Sequence, residues 1–460
     1  MSAEGLDASI QKMRDAGVAD VAIDTFADLY RRLAAGETGL IGEDEIEPVE
    51  DVPDADELPD AAASDLLDQA VVIKLNGGLG TSMGMTRAKS LLEAREGETF
   101  LDLIARQVLA LRERSGARVP LVLMNSFATR DDSLAALERH AGLSADLPAD
   151  FLQSKEPKVL VEDLMPAAWP PNPALEWCPP GHGDLFVALQ TSGVLQAMLD
   201  RGYRWAIASN SDNLGAVLDP RILAWIDAEQ APFVMEVADR TAADRKGGHI
   251  ARRRGDDGLV LREIAQTPDA DLDAFQDITR HRFFNTNTIW FDLRVVADEL
   301  ERRGGVLGLP LIRNRKTLDP SDDTSPPVFQ IETAMGAALG VIEGARALRV
   351  PRDRFAPVKT TNDLLTLRSD AYEVADDGRV ALVTERAGSP PQVDLDPDYY
   401  KLVGDFEPRV AAGAPSLREC ERLVVRGDVT FGAQVVVRGD VEIEAHGGPV
   451  HLADGTLLEG

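Results

Sequence analysis

From Ala70 to about Tyr372 the chain alternates short apolar segments with helical stretches, and this alternation constrains its fold more than any other feature. VVIKL (71–75), VPLVLMN (119–125), RWAIAS (204–209) and APFVMEV (231–237) have the length and apolar content of strands. TFLDLIARQVLALRER (99–114) and FVALQTSGVLQAMLDRG (186–202) have the spacing of helices. Strands apolar on both sides need cover on both faces, so the pattern predicts an α/β fold with a mixed, mostly parallel sheet between helical layers. Ahead of it, residues 6–36 place Ile10, Met13, Val18, Val21, Ile23, Phe26 and Leu29 at helical spacing, with Gly36 as the stop. Residues 43–60 are acidic and broken by proline, which predicts an exposed connector. Towards the end the helical period disappears, and VVRGDV at 424–429 returns at 436–441. That twelve-residue recurrence suits small β-helix turns. The expected division is a helical segment with its connector at 1–69, a sheet-and-helix domain at 70–378, and a β-helix-like domain at 379–460.

Charge narrows the function. The 78 acidic residues outweigh 48 basic ones, a net charge of −30, and such a surface repels nucleic acids and anionic membranes. An anionic substrate would be repelled as well, so any phosphate site must be a local island of cations and backbone N–H groups. No apolar run approaches the roughly 18 residues of a membrane helix. The first residues carry neither the basic nor the apolar region of a secretion signal. The two cysteines, Cys178 and Cys420, lie far apart and form no CxxC, which argues against a disulfide framework or thiolate zinc site. The expected location is the reducing cytoplasm.

The strand at 71–75 runs straight into Asn76-Gly77-Gly78-Leu79-Gly80-Thr81-Ser82-Met83-Gly84. Glycines here permit close backbone approach to a ligand, and successive N–H groups make an anion nest, aided by a helix N-terminus beyond it. A Walker A pattern is absent, and three residues between Gly80 and Gly84 break the dinucleotide-binding GxGxxG. Lys89, in TRAKS, brings a cation near the loop. Further on, FLQSKEPKV offers the Gln153 amide, whose donors and acceptor match a pyrimidine edge. In CPPGHGD, prolines stiffen the entry and Gly181 and Gly183 flank His182, a setting unlike that of a packed core histidine. SNSDNLG follows a buried strand and delivers Asp212 to the sheet's edge, where one carboxylate with substrate phosphates would suit Mg²⁺. KGGHI and LREIAQTP contribute Gly247, Gly248 and Glu263. In FFNTNT, Asn285 and Asn287 alternate along a strand and so share a face.

KLNGGLGTSMG with the TRAKS lysine, SNSDNLGA, FNTN, FQIETA and PVKTTNDLL, in this order, resemble eukaryotic-type UTP–glucose-1-phosphate uridylyltransferases over roughly residues 70–372. The resemblance implies a Rossmann-like nucleotidyltransferase domain at 70–378, followed by a left-handed β-helix. It implies that Leu75, Asn76, Gly77, Gly78, Lys89, Gln153, Gly181, Asn210 and Lys359 bind UTP. His182, Asn210, Ser211, Asp212, Gly248, Glu263, Asn285 and Asn287 would bind the sugar phosphate, with Asp212 holding Mg²⁺ and Lys89 and Lys359 acting in catalysis. Arg87-Ala88 stand where the family often has Gly-Pro, and Thr288 replaces the last Asn of FNTNN. FQIETA reads mainly as scaffold opening an alanine-rich helix. The implied partners are UTP and glucose-1-phosphate, with self-association through exposed β-edges near 420–460. The alternatives are a broad-specificity UDP-sugar pyrophosphorylase and a non-catalytic nucleotide-sugar binding protein. The three groups Lys89, Asp212 and Lys359 together weigh against the latter, which has no transition state to neutralise.

Overall fold

The computed structural model describes residues 2–61, 64–143, 145–256, 258–386 and 388–460. Two helices, α1 (Ser2–Asp15) and α2 (Asp20–Ala34), open the chain. The single helical pattern of residues 6–36 is thus divided, because Gly17 takes a φ of 70° that only glycine adopts easily. The sheet is built from β1 (Ile46–Pro48), β2 (Ala70–Asn76), β3 (Leu121–Asn125), β4 (Asp150–Leu152), β5 (Trp205–Asn210), β6 (Phe233–Asp239), β7 (His249–Arg253), β8 (Leu259–Arg262), β9 (Phe283–Asp292) and β10 (Arg346–Arg349). Its main path runs β1-β7-β9-β5-β2-β3-β4, with β8 paired to β7, β6 to β9 and β10 to β6.

The sheet is mixed, as the sequence predicts. Strands β5, β2, β3 and β4 are mutually parallel and carry the site, while β9 runs antiparallel to both β5 and β6. In β2, Val71 and Ile73 pack into one apolar cluster with Leu185 and Phe186, and Val72 packs into another with Phe100 and Leu103. Burial on both faces is what the uninterrupted apolar sequence requires. The helix Phe100–Ser115 begins in a Thr99/Asp102 capping box and stops at Gly116, which has a φ of 72°. The second expected helix, 186–202, is two helices, Asp184–Thr191 and Val194–Asp200, separated at Gly193 with a φ of 75°.

The connector is less exposed than its charge suggests. Ile46–Pro48 adds an edge strand to β7, burying Ile46, and Glu43 pairs with buried Arg262 and with Arg280. Near the C-terminus, strands Gln392–Leu395, Ser416–Arg426, Val436–Glu444 and Leu457–Glu459 form a parallel ladder. Val424 lies beside Glu442 and Val429 beside Val450, so the two VVRGDV copies are not partners in this stack. The spacing between stacked strands is set by the whole strand-and-turn unit rather than by the twelve-residue echo. No helix among the described residues is long and apolar enough to cross a membrane.

One buried ion pair ties the sheet to the segment after β10. Glu236, on β6 and fully buried, accepts from Arg354 Nε at 2.9 Å and Nη2 at 2.5 Å, and from Trp290 Nε1 at 2.8 Å. Removing one partner strands the other charge in the core. Arg354→Met should therefore cost about 3–5 kcal/mol in urea unfolding, and adding Glu236→Gln should recover much of that loss.

Candidate functional site

The C-terminal ends of β2 and β5, the loop after β4 and the loop before Asp184 close around a pocket of about 290 Å³. Leu75, Gly77, Gly78, Lys89, Gln153, Gly181, His182, Asn210, Ser211 and Asp212 line it, joined by Met124 and Pro179. A cleft outside the carboxyl ends of parallel strands is the usual ligand position in such sheets.

The glycine loop folds back on itself, since Lys89 N donates to Gly78 O at 3.0 Å. Gly80 and Gly84 have φ values of 65° and 74°, which explains glycine there. At Gly77 an added Cβ would lie 2.5 Å from Gln153 Oε1, so a side chain there would displace the Gln153 amide. Two short 3₁₀ turns, Thr81–Met83 and Lys89–Leu91, follow the loop in place of the expected α-helix. The groups the loop could offer an anion are thus its own N–H groups and the Lys89 side chain.

Lys89 Nζ stands 2.7 Å from Asp212 Oδ2. The other carboxylate oxygen, Asp212 Oδ1, is buried without a hydrogen-bond partner. An acceptor left in that state is costly unless a cation or donor arrives. Among the described residues no group of three or more His, Cys, Asp or Glu could hold a metal. Asp212 thus presents a single carboxylate, and its unpartnered Oδ1 has the chemistry to meet a cation that draws its other ligands from substrate and water.

Beneath this turn lies buried Lys74, whose Nζ donates to Ser209 Oγ and to Ala216 O, both at 2.7 Å. It therefore holds both ends of the segment carrying Asn210, Ser211 and Asp212. Burial and the nearby Arg354 guanidinium push its pKa down to about 7.

Two expected contacts turn into the framework. Asn76 is buried and absent from the pocket lining; its Nδ2 donates to Asn125 Oδ1 at 2.7 Å and Ser133 Oγ at 2.8 Å. Strand alternation explains this, because the side chain after Leu75 must face the opposite side of β2. The Ser211 hydroxyl reaches the pocket wall but lies 2.8 Å from Leu75 O and 3.1 Å from Asn76 Oδ1.

His182 Nδ1 accepts from Met335 N–H at 3.0 Å, leaving Nε2 as the ring's donor in the neutral tautomer. Desolvation lowers its pKa to about 4. FQIETA thus yields the strand Pro327–Glu332 and a 3₁₀ turn at Met335–Gly340, and its backbone orients a pocket histidine.

The remaining candidates adjoin the pocket. Asn287 Nδ2 donates to Asn210 Oδ1 at 3.0 Å, and Asn287 N donates to Asn285 Oδ1 at 2.8 Å. The two amides meet because Asn287 has a φ of 58° beside a register shift in β6, which departs from simple alternation. Asn285 in turn hydrogen-bonds Glu263, whose carboxyl pKa burial raises. Gly248 packs directly on Glu263, leaving no room for a Cβ, which would lie 2.4 Å from Oε2. Lys359 is exposed and lines a separate cleft of about 740 Å³ with Arg352, Asn362 and Asp363. It is linked to the pocket through its neighbour: Val358 N donates to Asp212 O at 3.2 Å.

Sequence reasoning misses Ser126, whose Oγ donates to Gly77 O at 2.9 Å, and Asp184, whose Oδ2 accepts from Ser154 N at 2.5 Å. Asp184 had a visible signal, as the carboxylate that ends CPPGHGD. Ser126 had none.

A family model described as UTP–glucose-1-phosphate uridylyltransferase matches residues 23–438. A protein of that name from Solanum tuberosum is 41% identical over 401 residues, covering 86% of this chain and 82% of its own. Its namesake from Saccharomyces cerevisiae is 38% identical over 395 residues, covering 85% and 77%. Among solved structures, a variant of UDP-glucose pyrophosphorylase from Leishmania major in complex with UDP-glucose superposes with a TM-score of 0.93 at 46% identity. That match covers 99% of this chain and 98% of the other. UDP-glucose phosphorylase from Trypanosoma brucei gives 0.92 at 44%, also covering 99% and 98%.

The depressed pKa of His182 has a testable sign. A histidine harder to protonate when folded than the ordinary 6.5 contributes stability that is complete above that pH and is lost as pH falls towards 4. In NMR titration the ring should stay neutral until about pH 4. His182→Gln should remove this part of the acid destabilisation; a His182 midpoint near 6.5 refutes the assignment.

Proposed function

Since the chain belongs to the UTP–glucose-1-phosphate uridylyltransferase family, we propose that it transfers the uridylyl group of UTP to glucose-1-phosphate, giving UDP-glucose and pyrophosphate. The observation that carries this reading is the single pocket in which the glycine loop, Gln153, the Gly181–His182 loop and the Lys89–Asp212 pair converge.

In the reaction a phosphate oxygen of glucose-1-phosphate attacks the α-phosphorus of UTP, and the bond to the β-phosphate's bridging oxygen breaks in line. The attacking group is already anionic, so no general base is required; positioning and charge neutralisation supply the rate. Leu75, Gly77 and Gly78 hold the nucleotide through the backbone, with Asn76 supporting them from behind. Gln153 and the Gly181 backbone read the uracil edge. His182 donates through Nε2, and Asn210, Gly248, Glu263, Asn285 and Asn287 receive the sugar. Ser211 contributes by fixing the turn beside Asp212. Lys89 stabilises the departing pyrophosphate and Lys359 the phosphates being joined. Asp212 would hold Mg²⁺ through its free Oδ1, and the ion's chemistry there is charge neutralisation on phosphate oxygens.

The division at 1–69, 70–378 and 379–460 is retained as part of this proposal, with the parallel C-terminal ladder read as a left-handed β-helix. Two buried, free cysteines support a cytoplasmic setting. Self-association is proposed through the open edge of that ladder. Light scattering should give a larger mass for the whole chain than for one lacking residues 420–460; equal monomeric masses would end this proposal.

A coupled pyrophosphate assay over nucleotides and sugar phosphates tests the activity, with UTP expected to far outperform ATP and GTP. Equal kcat/KM for UTP and ATP would sink the uridylyl assignment. In the same assay Lys359→Ala, folded by circular dichroism, should lose on the order of 10²–10³ in kcat while still binding UTP, because its contact strengthens in the transition state. A kcat near that of the unaltered chain removes this lysine from the mechanism.

A further inference from the structure

The pocket's base-reading end is made from two segments distant in sequence. Gln153 follows β4, and Gly181–His182 precede the helix Asp184–Thr191. On one side the second segment is fastened to the 333–335 backbone: Thr333 N donates to Pro180 O at 2.9 Å, Gly183 N to Thr333 O at 2.8 Å, and Met335 N to His182 Nδ1 at 3.0 Å. Its other side faces the Gln153 segment. There a two-residue ladder pairs Glu156 with Cys178 and Pro157 with Trp177. Closer to the pocket, Asp184 Oδ2 accepts the Ser154 N–H at 2.5 Å.

We propose that Asp184 is a positioning residue for nucleotide recognition, whose carboxylate joins the two walls that face the base and sets the place of the Gln153 amide. The inference rests on the reading that Gln153 and Gly181 meet uracil. Asp184 is 4% exposed, so water does not compete for this bond, and a backbone N–H to a desolvated carboxylate is a strong hydrogen bond. The anchored N–H belongs to the residue directly after Gln153, while Gln153 N itself donates to Asn125 O at 2.8 Å. The Gln153 backbone is thus held from both sides. Its Oε1 lies directly beside Gly77, where an added Cβ would come within 2.5 Å of it. Small displacements of the 153–154 backbone therefore move the amide relative to the glycine loop.

The surrounding charges favour this role. Glu156 is buried beside Asp184, and desolvation together with the Asp184 charge raises its pKa well above the usual carboxyl range. Asp184 is raised only to about 6, with the Ser154 hydrogen bonds opposing its burial. The Ser154 hydrogen bonds favour the ionised form of Asp184, the state that accepts them most strongly.

The test measures steady-state kinetics of pyrophosphate release for the unaltered chain, Asp184→Ala, Asp184→Asn and Asp184→Glu, with UTP and ATP in turn. Asp184→Ala should raise KM for UTP by about tenfold or more, the loss expected for a hydrogen bond to a charged group. It should also erode the preference for UTP over ATP, leaving kcat and KM for glucose-1-phosphate near their original values. Asp184→Asn keeps an acceptor oxygen and should recover most of the loss. Asp184→Glu moves the carboxylate by one methylene and should not. A folded Asp184→Ala protein with unchanged UTP KM and selectivity overturns the proposal. So does a uniform decline in all parameters that Asn fails to rescue, which marks a role in stability alone. Should Asp184→Ala not fold, Asp184→Glu decides by the same criteria. The unaltered chain's own UTP preference tests the uridylyl reading separately, so the two failures are distinguishable.

Discussion

The pairing of Glu236 with Arg354 is the contact on which the site's geometry depends. Both charges are buried, and each carboxylate oxygen is occupied by the guanidinium, with Trp290 Nε1 sharing one of them. A pair of this kind adds little net stability, because desolvation offsets its attraction. Its effect is to fix one arrangement. Arg354 Nη2 also reaches Val217 O, and Arg354 O accepts from Asn213 Nδ2 at 3.1 Å. Asn213 Oδ1 accepts from Ala356 N and Gly215 N. The turn carrying Asp212 and the segment leading to Lys359 are thereby assembled on the same buried charge.

Electrostatics within the site run against the protein as a whole. Against a net charge of −30, the pocket lining balances one lysine against one aspartate. Lys89 is matched to Asp212 Oδ2, which leaves Asp212 Oδ1 as a focused acceptor. Lys74 Nζ is held by a hydroxyl and a carbonyl, Ser209 Oγ and Ala216 O. A desolvated ammonium satisfied by two neutral acceptors is a fastener whose geometry is more demanding than its charge.

What the sequence reveals follows from how local each interaction is. The glycine loop and Asp212 are legible because each follows a buried strand whose direction carries it to one edge, and Lys89 is brought to the same edge by the loop, where its N–H binds Gly78 O. For Asn76 and Ser211 identity alone does not separate ligand contact from framework, since a polar side chain in a binding motif can serve either; the register of Asn76 against Asn125 places its side chain in the framework. The breaks at Gly17 and Gly193 interrupt apolar periodicities that continue across them, so spacing alone reads each pair of helices as one. The connector's edge strand depends on β7, two hundred residues later in the chain, and is invisible locally. Contacts made through backbone atoms, such as Met335 N on His182, leave no trace in residue identity.

The two lysines assigned to phosphate chemistry lie on different sides of the same aspartate. Lys89 meets the Asp212 side chain, whereas Lys359 follows Val358, whose N–H binds the Asp212 main-chain carbonyl. Asn213 and Pro357 form a further bridge at this point. Backbone coupling of this kind fixes the Cα of Lys359 relative to Asp212, while its exposed side chain lies in the larger cleft with Nζ 6.0 Å from the centroid of the Phe355 ring. The bond from Lys359 N to Asp363 Oδ2, at 2.8 Å, is part of the helix start at Thr361 and anchors the same backbone from the other direction. In the proposed mechanism a cation on such a base would meet the phosphates without deforming the turn that would hold the metal. The Glu236–Arg354 frame and the Val358 contact are therefore complementary, the first fixing the Asp212 turn and the second setting the base of Lys359 beside it.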